Sequence, residues 1–216
     1  MKREARDGLA DGERRGAKHG RLSKFGRHAF KALCPEALVA QMMGNQGAVV
    51  RQIEEQTASH LQFSPRGNYF PETKLRILTI FAQEPGFIYT ALRVVIDEAE
   101  ARAAEEREHG KGRSGEFLDS QGRLLFRCTL PKAAAGAVIG PKGERVRAIR
   151  EATGAQIVIE REVFDGQQMV AIGGGKEQLL AVLEEFNNII QAGADEPWFA
   201  PWAEQLEVSV PGGQGK

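Results

Sequence analysis

Val138-Ile139-Gly140-Pro141-Lys142-Gly143-Glu144-Arg145-Val146-Arg147-Ala148-Ile149 places a Gly-x-x-Gly loop between two helical patterns, and the chain carries this arrangement twice. The other copy, 96 residues earlier, reads Met42-Met43-Gly44-Asn45-Gln46-Gly47-Ala48-Val49-Val50-Arg51-Gln52-Ile53. The offset holds beyond the loops: Phe30 falls on Phe126, Pro35 on Pro131, Thr57 on Thr153, Leu61 on Ile157 and Phe63 on Ile159. A period this long is unlike a solenoid repeat, whose units bury a core only by stacking on neighbours. It fits two small units in tandem, each large enough to fold around its own core.

Working outward, both units read β-α-α-β-β-α. In the first, Phe30 to Cys34 is a strand, and Pro35-Glu36 opens a helix to Met43, since proline suits a first helical turn. Val49, Val50 and Ile53 recur at helical spacing after the loop. Leu61 and Phe63 alternate as a strand, residues 68–72 form a loop, 74–82 a strand, and 86–107 a long helix with a charged end. The second unit predicts strand 124–130, helix 132–139, helix 144–153 closed by Gly154, strand 156–160 and a turn at Asp165-Gly166. Strand 168–172 and helix 176–191 complete it.

Glycine at both ends of the loop allows a sharp turn and lets a ligand approach the backbone without a Cβ in the way. The loop also leads into a helix N-terminus, where free N–H groups and the helix dipole favour an anion such as phosphate. In the second copy Lys142, Arg145, Arg147 and Arg150 add positive charge against Glu144 alone. Arg147 and Arg150 also fit a solvated, salt-bridged face with Glu151. Val146 and Ile149, like Val49, Val50 and Ile53, suit core packing as well as base contact. Asn45-Gln46 brings no charge to the first loop.

The run from Val138 to Ile149, followed by Thr153-Gly154-Ala155-Gln156-Ile157-Val158-Ile159, closely resembles a eukaryotic (type I) KH domain over residues 124–191. Residues 28–104 resemble a divergent copy, and the pair is similar to the poly(C)-binding and Nova-like families. The resemblance implies an α+β fold, each module a three-stranded antiparallel sheet packed on three helices. It also implies binding of single-stranded RNA: the Gly-x-x-Gly loop clamps the backbone while about four unstacked bases lie across an apolar groove. Carried over to this chain, the second groove comprises Gly136, Ala137, Ile139, the loop Gly140, Pro141, Lys142 and Gly143, then Arg145, Val146, Ile157 and Ile159. Gln156 stands where the family places a base-reading arginine. The first comprises Gln41, Met43, the loop Gly44, Asn45, Gln46 and Gly47, then Val50, Leu61 and Phe63, with His60 at the reader position. Lys74 or Arg76 lies within reach of a base or phosphate. The resemblance implies post-transcriptional regulation in the nucleus or cytoplasm, with single-stranded DNA as an alternative ligand. A protein-binding scaffold remains open for the first module.

Of the 216 residues, 42% are hydrophobic and 27% charged, with formal net charge +0, so nucleic-acid binding must rest on local patches. No apolar run is long enough to span a bilayer, and no signal-peptide pattern opens the chain. An intracellular protein without membrane contact is expected, with Cys34 and Cys128 as buried thiols. Neither metal-ligand spacing nor a nucleophile–base pair stands out, so neither enzyme activity nor a cofactor is expected. Residues 1–27, with nine basic and four acidic side chains, read as a disordered basic arm. Residues 108–122 read as a flexible charged linker that leaves modules 28–107 and 123–191 to tumble independently. The tail, 192–216, reads as mostly disordered. Its Trp198 and Trp202 must fold back, await a protein partner or stack on bases.

Overall fold

The computed structural model describes residues 25–109 and 115–210. The disorder expected of the basic arm and the tail end falls largely outside them, at 1–24 and 211–216, as do linker residues 110–114.

The first module runs β1 (His28–Pro35), α1 (Glu36–Met43), a single 3-10 turn, α2 (Ala48–Thr57), β2 (Ser59–Phe63), β3 (Leu75–Ala82) and α3 (Pro85–His109). The second repeats it as β4 (Leu124–Pro131), α4 (Lys132–Ile139), a 3-10 turn, α5 (Glu144–Thr153), β5 (Gln156–Ile159), β6 (Gln167–Gly174) and α6 (Lys176–Gln191). Pro35 and Pro131 each sit one residue before a helix, in extended backbone (ψ 151° and 147°), where their lack of an N–H costs nothing.

Each module has the expected three antiparallel strands, but the two sheets are one. β1 pairs antiparallel with β4, giving a six-stranded sheet of order β2-β3-β1-β4-β6-β5. The modules are therefore joined edge to edge, which corrects the expectation of independent tumbling. Joining hides both β1 and β4, whose unpaired backbone would otherwise be exposed. It is reinforced behind the sheet, where α3 packs on α6. There Lys176 pairs with Asp97 at 2.6 Å, the Asn187 amide donates to the Pro85 carbonyl at 3.0 Å, and Gln191 donates to the Ala29 carbonyl at 2.8 Å.

Alternation along the strands gives the sheet two buried faces. Phe30, Ala32, Cys34, Leu78, Ile80, Phe126, Cys128 and Ile172 face the helices and form the main core. On the other face a second cluster gathers Leu33 and Ile77 with Phe70, Leu75, Phe164 and Val208. The tail reaches both clusters: Leu206 and Val208 join the second, whereas Phe199, Trp202 and Ala203 join the main core. Residues Phe199–Glu204 form α7, with Phe199, Trp202 and Ala203 buried, so 192–210 is packed rather than loose. Three aromatic rings with mutual contacts of 5.5–6.2 Å supply apolar area that polar tail composition conceals. The linker is likewise anchored at its end: Phe117 enters the main core, Leu118 bridges to Leu124, and Arg127 donates to the Glu116 carbonyl at 3.1 Å.

Candidate nucleic-acid interface

The two loops have one backbone. Gly44 and Gly140 adopt φ/ψ of 62°/−169° and 70°/178°, a region open essentially to glycine alone. A Cβ at Gly44 would lie 2.4 Å from Val49 Cγ2, and at Gly140 2.7 Å from Arg145 Cβ. Gly47 and Gly143 are left-handed, at φ 76° and 77°. Between each pair one non-glycine residue is also left-handed, Gln46 at φ 50° and Lys142 at φ 49°. That conformation is disfavoured for a side chain and is kept in both copies. The effect is to turn Asn45, Gln46, Pro141 and Lys142 outward, all exposed, in front of the N-termini of α2 and α5.

The second groove assembles much as expected. Gly136 and Ala137 are exposed on α4, Ile139 and Ile159 are half-buried, and Val146 and Ile157 form the floor. Lys142, Arg145 and Arg147 are exposed and carry no ion pair among the described residues. Arg150 does a different job: its Nε and Nη2 donate to the Ile157 carbonyl at 3.2 and 2.6 Å, holding edge strand β5 against α5. The equivalent position in the first module is Glu54, whose Oε1 accepts from the Leu61 N–H at 2.8 Å. One structural task is thus done by opposite charges, which leaves the second groove more positive than the first.

The first groove is more self-contained. The Gln41 amide donates to Glu98 on α3, so it is held by that helix rather than free over the groove. Met43 is 38% exposed beside the loop, Val50 and Phe63 are half-buried, and Leu61 is buried. Arg76 donates to the Ser64 carbonyl and lies 5.9 Å over the Phe63 ring, which removes it as a free base contact; Lys74 is exposed. Asn45 and Gln46 bring no charge themselves, but the helix that follows lends the loop a cation. Arg51, on the first turns of α2, donates from Nη1 to the Gln46 carbonyl at 3.0 Å. It sits 96 residues before Arg147, so the repeat itself signals it.

Both reader positions are engaged. Alternation sends His60 and Gln156 to the sheet face opposite Leu61 and Ile157. The His60 ring stacks on Phe25 at 3.9 Å and meets Glu54 Oε1 at 2.7 Å. Gln156 accepts from Arg123, which is itself paired with Asp119 at 2.6 Å. Desolvation is the largest single influence on the Asp119 carboxyl and pushes it up. Hydrogen bonds from the Arg123 side chain and from the Arg123 and Gln121 backbone N–H groups, with the Arg123 charge, together hold it below its ordinary value. Arg123, invisible as a site residue in the sequence, is therefore the cation nearest the reader of the second groove.

Trp202 is docked, 4% exposed, and lies 5.4 Å from the ammonium of Lys31. Trp198 is half-buried, and both rings line a surface cleft with Pro131, Lys132, Pro201 and Gln205. Burial pushes the Cys34 thiol up to about 12 and the Cys128 thiol higher still, leaving both inert. Among the described residues no His, Cys, Asp and Glu cluster could hold a metal ion, and no helix is long and apolar enough to cross a membrane.

A paired β-α-α-β-β-α fold with a glycine-framed loop at each second-helix N-terminus defines a nucleic-acid-binding module used twice. The sequence matches the KH domain family over residues 30–97 and 126–188, more than half of the chain, which therefore belongs to the KH-domain proteins, in tandem type I form. Far upstream element-binding protein 1 of Homo sapiens and of Rattus norvegicus are each 24% identical over 135 residues, covering 62% of this chain and 19% of theirs. The chain thus spans less than a fifth of these curated relatives. Among solved structures, Dim2p of Pyrococcus horikoshii is 18% identical, with 82% of this chain and 98% of that one covered, at a TM-score of 0.27. The same protein in a complex with a/eIF2alpha and rRNA is 18% identical, covering 82% and 94%, at 0.25. Scores this low support no comparison of shape.

Proposed function

We propose that the chain binds single-stranded RNA through both grooves and regulates the processing, stability or translation of transcripts in the nucleus or cytoplasm, with no chemistry of its own. The observation that carries this reading is the shared loop: both copies hold the same left-handed backbone and present two exposed side chains before a helix N-terminus. Such a loop suits a phosphodiester backbone, and the narrow apolar floor beside it suits unstacked bases rather than an A-form duplex. Membership of the KH-domain family agrees with a nucleic-acid ligand. The second groove is the stronger, since Lys142, Arg145 and Arg147 surround it. A second reading applies to the first module alone: Glu54 and Glu98 border its groove, which favours a protein ligand there.

The test is a gel shift of the intact chain with one mixed-sequence RNA as single strand, as duplex, and as single-stranded DNA. Preference for the single-stranded RNA supports the proposal. Equal or tighter binding of the duplex contradicts it.

A further inference from the structure

The pairing of β1 with β4 is centred on equivalent residues. Ala32 lies opposite Cys128, and the two are 96 residues apart, the offset of the repeat. The neighbouring pair, Leu33 with Arg127, obeys the same symmetry, because their equivalents, Thr129 and Lys31, flank the same centre. Antiparallel strands that pair through their own equivalents generate a local two-fold axis perpendicular to the sheet. Every element of one module is therefore carried onto its counterpart with its direction reversed.

The axis fixes where the grooves lie. α2 is tied to edge strand β2 through Glu54, and α5 to edge strand β5 through Arg150, so the grooves sit at the two outer edges of the sheet. Five strand intervals of about 4.8 Å separate those edges, roughly 24 Å across. Between them stand α3 and α6, whose outward side chains include Glu177, Glu184 and Glu185 with Asp97 and Glu100. The last two share Lys176, and Arg93 is a further cation, so the ridge is acidic on balance. A phosphate backbone gains nothing by lying along that acidic ridge.

We infer that the RNA recognised by the intact chain is one strand that turns back on itself: two short single-stranded sites joined by an unbound spacer long enough to cross the sheet. This rests on the RNA-binding proposal above. A strand leaving the first groove at one end enters the second at the same end and runs back in the opposite direction. A contiguous site fills one groove only. The rigid junction, rather than a flexible linker, sets the spacing, so the gain from a second site is absent below a threshold length instead of declining smoothly.

The experiment uses the intact chain in excess and, as probes, two mixed-sequence RNA tetranucleotide blocks joined by base-free ethylene glycol spacers, read by fluorescence anisotropy. Spacers reaching about 10 Å should bind no better than a single block, and those reaching about 30 Å or more at least tenfold tighter. The Asn45→Asp, Gln46→Asp variant should abolish that step while leaving single-block binding through the second groove. A step already present at about 10 Å, or no step at any length while single blocks bind, overturns the geometry and leaves RNA binding standing. Failure of single blocks to bind at all overturns both.

Discussion

Gly140 shows what the residue scale decides. Its backbone is closed to other residues, and a Cβ would meet Arg145, so Gly140→Ala should lower unfolding free energy by about 1–3 kcal/mol in a urea titration. Unchanged stability would show that the loop relaxes easily and is not a preformed clamp. Gly136 is the opposite case. It is helical with nothing within 4 Å of a Cβ, so Gly136→Ala should add about 0.5–1 kcal/mol of stability. The new methyl stands on the groove, so the same variant should bind RNA more weakly; stabilisation without loss of affinity would remove Gly136 from the interface. The glycines were legible in the sequence because a conformational demand is written in one residue. Arg123 at Gln156, Phe25 on His60, and the Glu54/Arg150 exchange were not, because each depends on a partner brought in by folding.

At the scale of elements, helix and strand positions were readable to within a few residues, since apolar periodicity is local. The helices 132–139, 144–153 and 176–191 match the observed bounds. The tail was not readable that way, because its fate depends on an apolar sheet face formed by both modules. Its docking should be costly to undo: Trp202→Ala removes a buried aromatic ring and should destabilise the protein by about 3–5 kcal/mol. A loss near zero would mean that α7 contributes no packing. Beneath it, Lys31 is fully buried, donates to the Gln205 carbonyl, and has its pKa lowered by desolvation to about 7 from 10.5. Between these values the unfolded chain holds a proton that the folded chain lacks, so stability should rise as pH climbs from 7 toward 10.5 and stay flat with respect to this group below 7. Urea midpoints at pH 7 and 9 should show that rise, and Lys31→Met should flatten it; a slope unchanged in the variant would assign it to another group.

For the whole molecule, the repeat was plain in the sequence but the joined sheet was not. Nothing in the β1 pattern distinguishes an edge strand from a central one except its burial on both faces, which requires knowing what covers it. The junction predicts one cooperative unfolding transition by calorimetry, since melting either module exposes the other's strand edge and helix face; two well-separated transitions would contradict it. Function at this scale still rests on the loops. The most direct measurement compares the intact protein with two variants, Pro141→Asp with Lys142→Asp, and Asn45→Asp with Gln46→Asp, by anisotropy on one long single-stranded RNA. All four side chains are exposed, and aspartate tolerates the left-handed backbone, so the fold should survive, as circular dichroism can verify. Both variants should bind more weakly because their carboxylates repel phosphate, the change in the second loop costing more. Two folded variants that bind as tightly as the parent would contradict the account.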